Sequence, residues 1–105
     1  MKALGFIEVS GVVAAVEALD SMLKTANVEF VTLEKKLGGR LVTIVVTGNV
    51  SAVQEAVECG SARANEITQT VARAVIANPH EEVIKLVEIS AKKLNLVKSG
   101  EVSEF

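Results

Sequence analysis

The residues that could do chemistry in this chain are concentrated in one short segment, Lys35 to Arg40, which reads Lys-Lys-Leu-Gly-Gly-Arg. Glycines expose backbone N–H groups and the flanking cations attract anions, so the segment is a candidate anion site. It does not match a phosphate-binding P-loop, because the spacing and the Lys-Ser/Thr pair are absent. In an isolated subunit the simpler alternative is a hairpin turn with solvated basic side chains. A ring of such loops around one axis would instead focus potential in a narrow opening.

Two other side chains are candidates for reactivity, because the chain has one histidine and one cysteine. His80 follows Pro79 at a predicted helix start, where capping or an interface contact is a simpler interpretation than catalysis. Cys59 is predicted mid-helix among small residues, where we expect a buried, inert thiol, since reactivity requires an exposed setting that lowers the thiol pKa. One Cys and one His also exclude an intrachain disulfide and ordinary zinc sites. We therefore predict no catalytic residue, no metal site and no cofactor.

The composition indicates one small domain with an aliphatic core. The 105 residues are 50% hydrophobic but only 3% aromatic, and the mean hydropathy is +0.41. So short and apolar a chain exposes apolar surface unless subunits associate, which favours an oligomer over a compact monomer. A net charge of −2 argues against a broad nucleic-acid-binding face. No apolar stretch is long enough to span a membrane and Glu8 comes too early for a signal peptide, so we expect a cytosolic chain.

The spacing of apolar residues predicts the elements that position the basic loop. A β-type run over 3–9 ends at Ser10-Gly11 and precedes an amphipathic helix. The predicted core face of that helix consists of residues at helical spacing: Val12, Ala15, Val16, Leu19, Leu23 and Ala26. Two further strands, 28–34 and 41–47, should form a hairpin with the basic loop at its tip.

The second half of the chain repeats the alternation of helix and strand. A capping box at Ser51-Ala52-Val53-Gln54 predicts a helix to about residue 65, and a fourth strand follows over 67–76 until Asn78-Pro79 stops it. His80-Glu81-Glu82 opens a last helix, which a polar tail follows. The order is the ferredoxin-like split β-α-β-β-α-β pattern with a C-terminal helix, a mixed α/β domain of the α+β kind. Two helices should cover one sheet face, leaving the other to the last helix, a neighbour or solvent.

A set of short segments, ordered along the chain, resembles the single-domain, hexamer-forming shell proteins of bacterial microcompartments, the BMC-domain type. These segments are Ala3-Leu4-Gly5-Phe6-Ile7-Glu8, Gly11-Val12-Val13, the run from Asp20 to Val28, Glu34-Lys35, Leu41-Val42-Thr43, Gly48-Asn49-Val50, and Val75-Ile76 before Pro79-His80. The similarity covers roughly residues 3 to 90. Residues 1–90 are accordingly interpreted as the shell domain, and 91–105 as the end of the C-terminal helix with a polar tail.

The resemblance implies a structural protein and not an enzyme. Proteins of this family form cyclic hexamers, which tile with other shell proteins around encapsulated enzymes in the bacterial cytoplasm. The resemblance implies no nucleic-acid partner and no membrane partner. It implies a central pore for small polar or anionic metabolites, lined by Lys36, Leu37, Gly38, Gly39 and Arg40. It further implies that hexamers meet one another at an edge formed by Lys24, Asn78 and His80.

Two departures from the family pattern affect these expectations. The loop has an extra lysine, and Gly39-Arg40 replaces the usual Ser-Gly, so pore width and charge differ from the common form. Asn78 stands where an arginine normally meets the neighbouring hexamer, and asparagine cannot reproduce the planar set of donors of arginine. The alternative function is a ferredoxin-like regulatory domain that binds a small ligand at a subunit interface, because fold alone does not decide function.

Overall fold

The computed structural model describes residues 2–36 and 40–98, and these residues form a four-stranded antiparallel sheet with three helices. The elements are, in order, β1 (Ala3–Ser10), α1 (Val12–Thr25), β2 (Glu29–Lys35), β3 (Leu41–Gly48), α2 (Val50–Ile67), β4 (Thr70–Ile76) and α3 (Glu81–Lys98). The strands lie in the order β2-β3-β1-β4. The mixed α/β class and the split pattern predicted from the sequence are confirmed.

The strand register gives the sheet two distinct ends. At one end, which we call the hairpin end, Ser10 pairs with Leu41 and the β2–β3 loop begins. At the other, which we call the far end, Ala3 pairs with Gly48 and Leu4 with Ile76. An eight-residue strand such as β1 spans about 25 Å at roughly 3.3 Å per residue. The β2–β3 loop and the β4–α3 loop therefore lie on opposite sides of the domain.

The helix α1 packs on the sheet through its alanines, which corrects part of the prediction for its core face. Its buried residues are Ala14, Ala15, Ala18 and Met22, whereas Val12, Val16 and Leu23 are exposed. The reason is the close approach of α2, since a Cβ added at Gly60 would lie 2.6 Å from the Met22 Cγ. Only the small-residue side of α1 fits so near to α2, and this turns the valines outward.

The boundaries of α2 also differ from the prediction. Its N-cap is Asn49, whose Oδ1 accepts hydrogen bonds from the Ala52 amide at 2.9 Å and from the Ser51 hydroxyl at 3.1 Å. The predicted capping box was therefore placed two residues too late. The helix continues to Ile67, and β4 begins at Thr70 instead of residue 67. Asn65 fixes this junction because its Oδ1 accepts from the Thr70 amide at 2.7 Å.

The last helix, α3, covers part of the second sheet face. Val87 is buried there with Leu4 and Val45. Ser90 of α3 lies 2.8 Å from the hydroxyl of Thr32, which is 1% exposed, and its own hydroxyl donates to the Glu34 carboxylate. These contacts attach α3 to β2, one of the two edge strands. Within the described ranges, no helix combines the length and the apolar character needed to cross a membrane.

Candidate functional site

The predicted pore loop is anchored at both of its ends. Leu37, Gly38 and Gly39 lie outside the described residues, but Lys36 and Arg40 lie within them. The Lys36 amide donates to the Leu41 carbonyl at 3.3 Å, and the Arg40 carbonyl accepts from the Gly11 amide at 2.6 Å. Gly11 has φ 96°, a conformation that favours glycine, and the backbone turns there from β1 into α1. The loop therefore starts and ends on rigid elements.

The hairpin end carries carboxylates beside its cations, which the sequence analysis did not anticipate. The Lys36 Nζ lies 3.4 Å from the Glu8 Oε2. Glu8 pairs with Thr43 across β1 and β3, and Glu34 pairs with Thr43 across β2 and β3, so the three residues form one cross-strand row. The row places Glu8 and Glu34 on the sheet face that α3 partly covers. Glu8 offsets part of the Lys36 charge, and Lys35 and Arg40 are the other described cations of the segment.

The three predicted edge residues lie at the far end. Lys24 is in the last turn of α1, and its Nζ lies 2.8 Å from the Asp20 carboxylate; this hydrogen bond raises the Lys24 pKa. Asn78 is exposed between β4 and α3. His80 caps α3, since its carbonyl accepts from the Val83 amide and its Nδ1 accepts from the Glu82 amide. No hydrogen bond or ion pair among the described residues joins Lys24, Asn78 and His80 to one another.

Two exposed surfaces on the single chain are suited to contacts with other chains. The first is β4, an edge strand whose central residues are exposed, together with an open groove of about 510 Å³ between it and α2. Ser61 lines this groove, is 4% exposed, and has a hydroxyl without a hydrogen-bond partner among the described residues.

The second exposed surface is the outward side of α1 at its start, where Val13 is 71% exposed beside the exposed Val12 and Val16. Val12 and Val16 were predicted to lie in the core, so this surface was not expected from the sequence.

Cys59 is only partly buried, which corrects the expectation of a fully buried thiol. Its Sγ lies 3.1 Å from the Ser21 Oγ and 3.4 Å from the Thr25 Oγ1, both on the neighbouring helix. In the part of the chain that the structure describes, no three His, Cys, Asp or Glu side chains are grouped so as to hold a metal ion.

Comparison with known proteins identifies the family. The BMC domain model matches residues 3–79. The bacterial microcompartment shell protein PduA of Salmonella typhimurium is 45% identical over 85 residues, which are 81% of this chain and 89% of that protein. The carboxysome shell protein CcmK2 of Synechocystis is 45% identical over 83 residues, 77% of this chain and 80% of that one.

A solved structure agrees in fold. A microcompartments protein from Desulfitobacterium hafniense superposes with a TM-score of 0.75 at 31% identity, over 81% of this chain and 48% of that one. The chain thus spans about half the length of that protein. The family match over most of the chain and the identities above 40% agree with the observed fold. This chain belongs to the BMC-domain family.

Proposed function

We propose that this chain is a structural subunit of a bacterial microcompartment shell, that it assembles as a cyclic hexamer, and that it has no catalytic centre. The observation that carries the proposal is the separation of two polar features by the length of the sheet. The basic loop lies at the hairpin end, and Lys24, Asn78 and His80 lie at the far end, about 25 Å away on the strand geometry. In a flat ring, the hairpin end would lie at the central axis and the far end would lie at the outer rim.

The contacts that close the ring are supported by two different surfaces on one subunit. The β4 edge with its groove is one surface, and the exposed valines of α1 are the other. A contact between unlike surfaces is heterologous, and repeated rotation closes it into a ring. The resemblance to hexamer-forming shell proteins supports six as the number of subunits in the ring.

The loop from Lys36 to Arg40 would line the central pore, through which small polar or anionic metabolites pass. Leu37, Gly38 and Gly39 are the remaining predicted lining residues. Because Glu8 offsets part of the charge of Lys36, Arg40 makes the stronger contribution to the positive potential of the opening.

The rim would meet other shell proteins in the microcompartment, with encapsulated enzymes as further partners inside it. Lys24 is exposed there, and its pairing with Asp20 holds the ammonium group near the surface of α1. Asn78 offers fewer donors than arginine, so flat contacts between hexamers should be weaker here than in relatives that have arginine.

Light scattering after size exclusion tests the ring. Six chains of 11.1 kDa give about 67 kDa, and a monodisperse monomer or dimer at high concentration would refute the assembly. Val13→Asp and Val71→Asp should each release single chains, because both exposed valines lie on the proposed ring contacts. Val50→Asp is the matched control, since this exposed valine begins α2 at the far end, where an acid is favourable. The control should retain the ring.

Two further variants test the pore and the rim separately. Lys36→Glu with Arg40→Glu should change the passage of a charged metabolite through assembled shells while leaving the hexamer intact. Unchanged flux would contradict the pore assignment. Asn78→Arg should promote flat sheets visible by electron microscopy, with Asn78→Gln as the control, and identical sheets from all three proteins would contradict the rim assignment.

The other candidate functions have less support. A ligand-binding regulatory domain should form dimers or trimers that a ligand stabilises, whereas the relatives matched over most of their length are named as shell proteins. An enzyme would depend on His80 and Cys59, but His80 caps α3 and Cys59 contacts hydroxyls of α1. Replacing both with alanine and serine respectively should leave the hexamer unchanged.

A further inference from the structure

The outer face of α3 has two large apolar side chains that the described chain does not cover. Leu86 and Ile89 are 68% and 63% exposed, while Val87 between them is buried against the sheet. They lie one helical turn apart and so share a face. α3 packs on β2, at the opposite edge of the sheet from β4, and on the face opposite α1. The surfaces proposed for the ring therefore do not use this stripe.

Charged residues flank the apolar pair symmetrically. Glu82 lies four positions before Leu86, and Lys93 lies four positions after Ile89. At about 100° per residue, these four side chains fall within roughly 60° of arc on the helix. Glu82 and Lys93 are both exposed. The spacing is the same from either end of the stripe, while the sign of the charge reverses.

We propose that this α3 stripe, defined by Glu82, Leu86, Ile89 and Lys93, binds the same stripe of a second copy of the chain in an antiparallel pair. Leu86 then meets Ile89 of the second copy, Glu82 meets its Lys93, and twofold symmetry makes each contact occur twice. Each helix dipole also opposes that of its neighbour, which is the favourable orientation. Glu82 is held at 3.1 Å by Lys85 of its own helix, and Lys93 also has an interaction within its own chain. Because both side chains are exposed, these interactions are weak and can be shared with a second copy.

The size of the contact determines when it forms. A stable interface between free proteins buries on the order of 1,600 Å², and one pair of short helical stripes buries much less. Separate subunits would therefore associate weakly through α3. The α3 contact rests on the proposed ring only for its affinity. A ring repeats the contact for every subunit, and the repeated contacts reinforce one another. Two rings would then meet face to face, as twelve chains of 11.1 kDa each.

Mass measurements over a dilution series test the pairing. The wild type should change from twelve chains to six on dilution, and Leu86→Glu should stop at six at every concentration. Glu82→Lys and Lys93→Glu should each raise the midpoint concentration about tenfold or more, since each removes two charge pairs from every contact. The double variant should return the midpoint close to that of the wild type. Glu88→Lys is the control, because Glu88 lies about 120° around the helix from the stripe.

A disulfide experiment tests the contact without relying on the ring. In a Cys59→Ser background, the Glu82→Cys and Lys93→Cys chains should form a linked dimer when they are mixed and oxidised at high concentration. Neither chain should link to itself, because antiparallel pairing brings position 82 only to position 93. Self-linking of either chain would refute the antiparallel arrangement. Wild-type rings that stay at six chains at every concentration would also refute it. So would a double variant whose midpoint concentration does not return towards that of the wild type. Wild-type masses that are not multiples of six would refute the ring alone, and the disulfide result would still decide the α3 contact.

Discussion

Gly5, in the middle of β1, is a position where one added methyl group should be costly. A Cβ there would lie 2.6 Å from the Val53 Cγ1 and 2.8 Å from the Val57 Cγ2. Both valines are buried and β-branched, so neither can rotate away easily. Gly60 gives a useful contrast, because the atoms nearest to its added Cβ belong to Met22, whose flexible chain can adjust.

The expected magnitudes follow from these contacts. Overpacking costs about 1–3 kcal/mol, and replacing a strand glycine by alanine returns about 0.5–1 kcal/mol of chain entropy. Because both contacts are far shorter than a van der Waals contact, the upper half of the overpacking range applies. Gly5→Ala should therefore lower the free energy of unfolding by about 1–2.5 kcal/mol, which is a Tm decrease of roughly 4–20 °C for a domain of this size. Gly60→Ala should cost less than Gly5→Ala, because alanine gains about 1 kcal/mol of helix propensity that offsets part of the clash with Met22.

Thermal unfolding followed by circular dichroism at one protein concentration measures these changes, and the fixed concentration holds the effect of assembly constant. Val53→Ala removes one of the colliding methyl groups. The Gly5→Ala, Val53→Ala double variant should therefore be more stable than the sum of the single losses by about 1 kcal/mol or more. A Gly5→Ala protein that melts with the wild type, or two single losses that simply add, would show that the valines are not in the contact described.

Three further predictions concern single side chains. Ser90→Ala should leave the buried Thr32 hydroxyl without this partner, at a cost of about 1–3 kcal/mol. The loss should appear as amide hydrogen exchange that is faster in α3 than in α1. Equal exchange in the two helices would contradict the prediction. Asn49→Ala should cost about 1 kcal/mol in chemical denaturation and Asn49→Ser much less, so equal losses would argue against the N-cap. Because Asp20 raises the Lys24 pKa above its ordinary 10.5, the stabilisation by this pair should be complete below that value and lost as the pH rises through the folded-state pKa. Lys24→Gln should abolish that dependence in alkaline melting curves, and an unchanged curve would refute the linkage.

The order of the elements could be predicted because each segment has a clear period, 2 in the strands and 3.6 in the helices. The face that α1 buries could not. Its alanines and its valines both lie at helical spacing, and hydrophobicity alone favours the valines. The choice is made by the distance to α2, which depends on Gly60 standing opposite Met22, and that pairing is a property of the folded chain.

The sequence indicates which segments form the candidate site, but it does not indicate which side chains in those segments contact one another. The glycines and cations of the loop are evident in the sequence, and alternation along β1 puts Glu8 on the same face as Leu4 and Phe6. The proximity of Glu8 to Lys36 depends on the register of β1 against β3, which local sequence does not specify. The composition of the loop therefore does not reveal that a carboxylate lies beside Lys36.

The exposed stripes of α1 and α3 differ in a way that determines what each can build. The exposed valines Val12, Val13 and Val16 are proposed to contact the unlike β4 surface of a neighbour, and a heterologous contact of this kind leads to a ring. The α3 stripe is its own complement, so it can only produce twofold pairs. A chain with both stripes should form a closed assembly of two rings, in which the α3 contacts dissociate first because each is small. Val13→Asp should consequently abolish both large species, whereas Leu86→Glu should abolish only the larger one, and the reverse order would show that the two surfaces have exchanged roles.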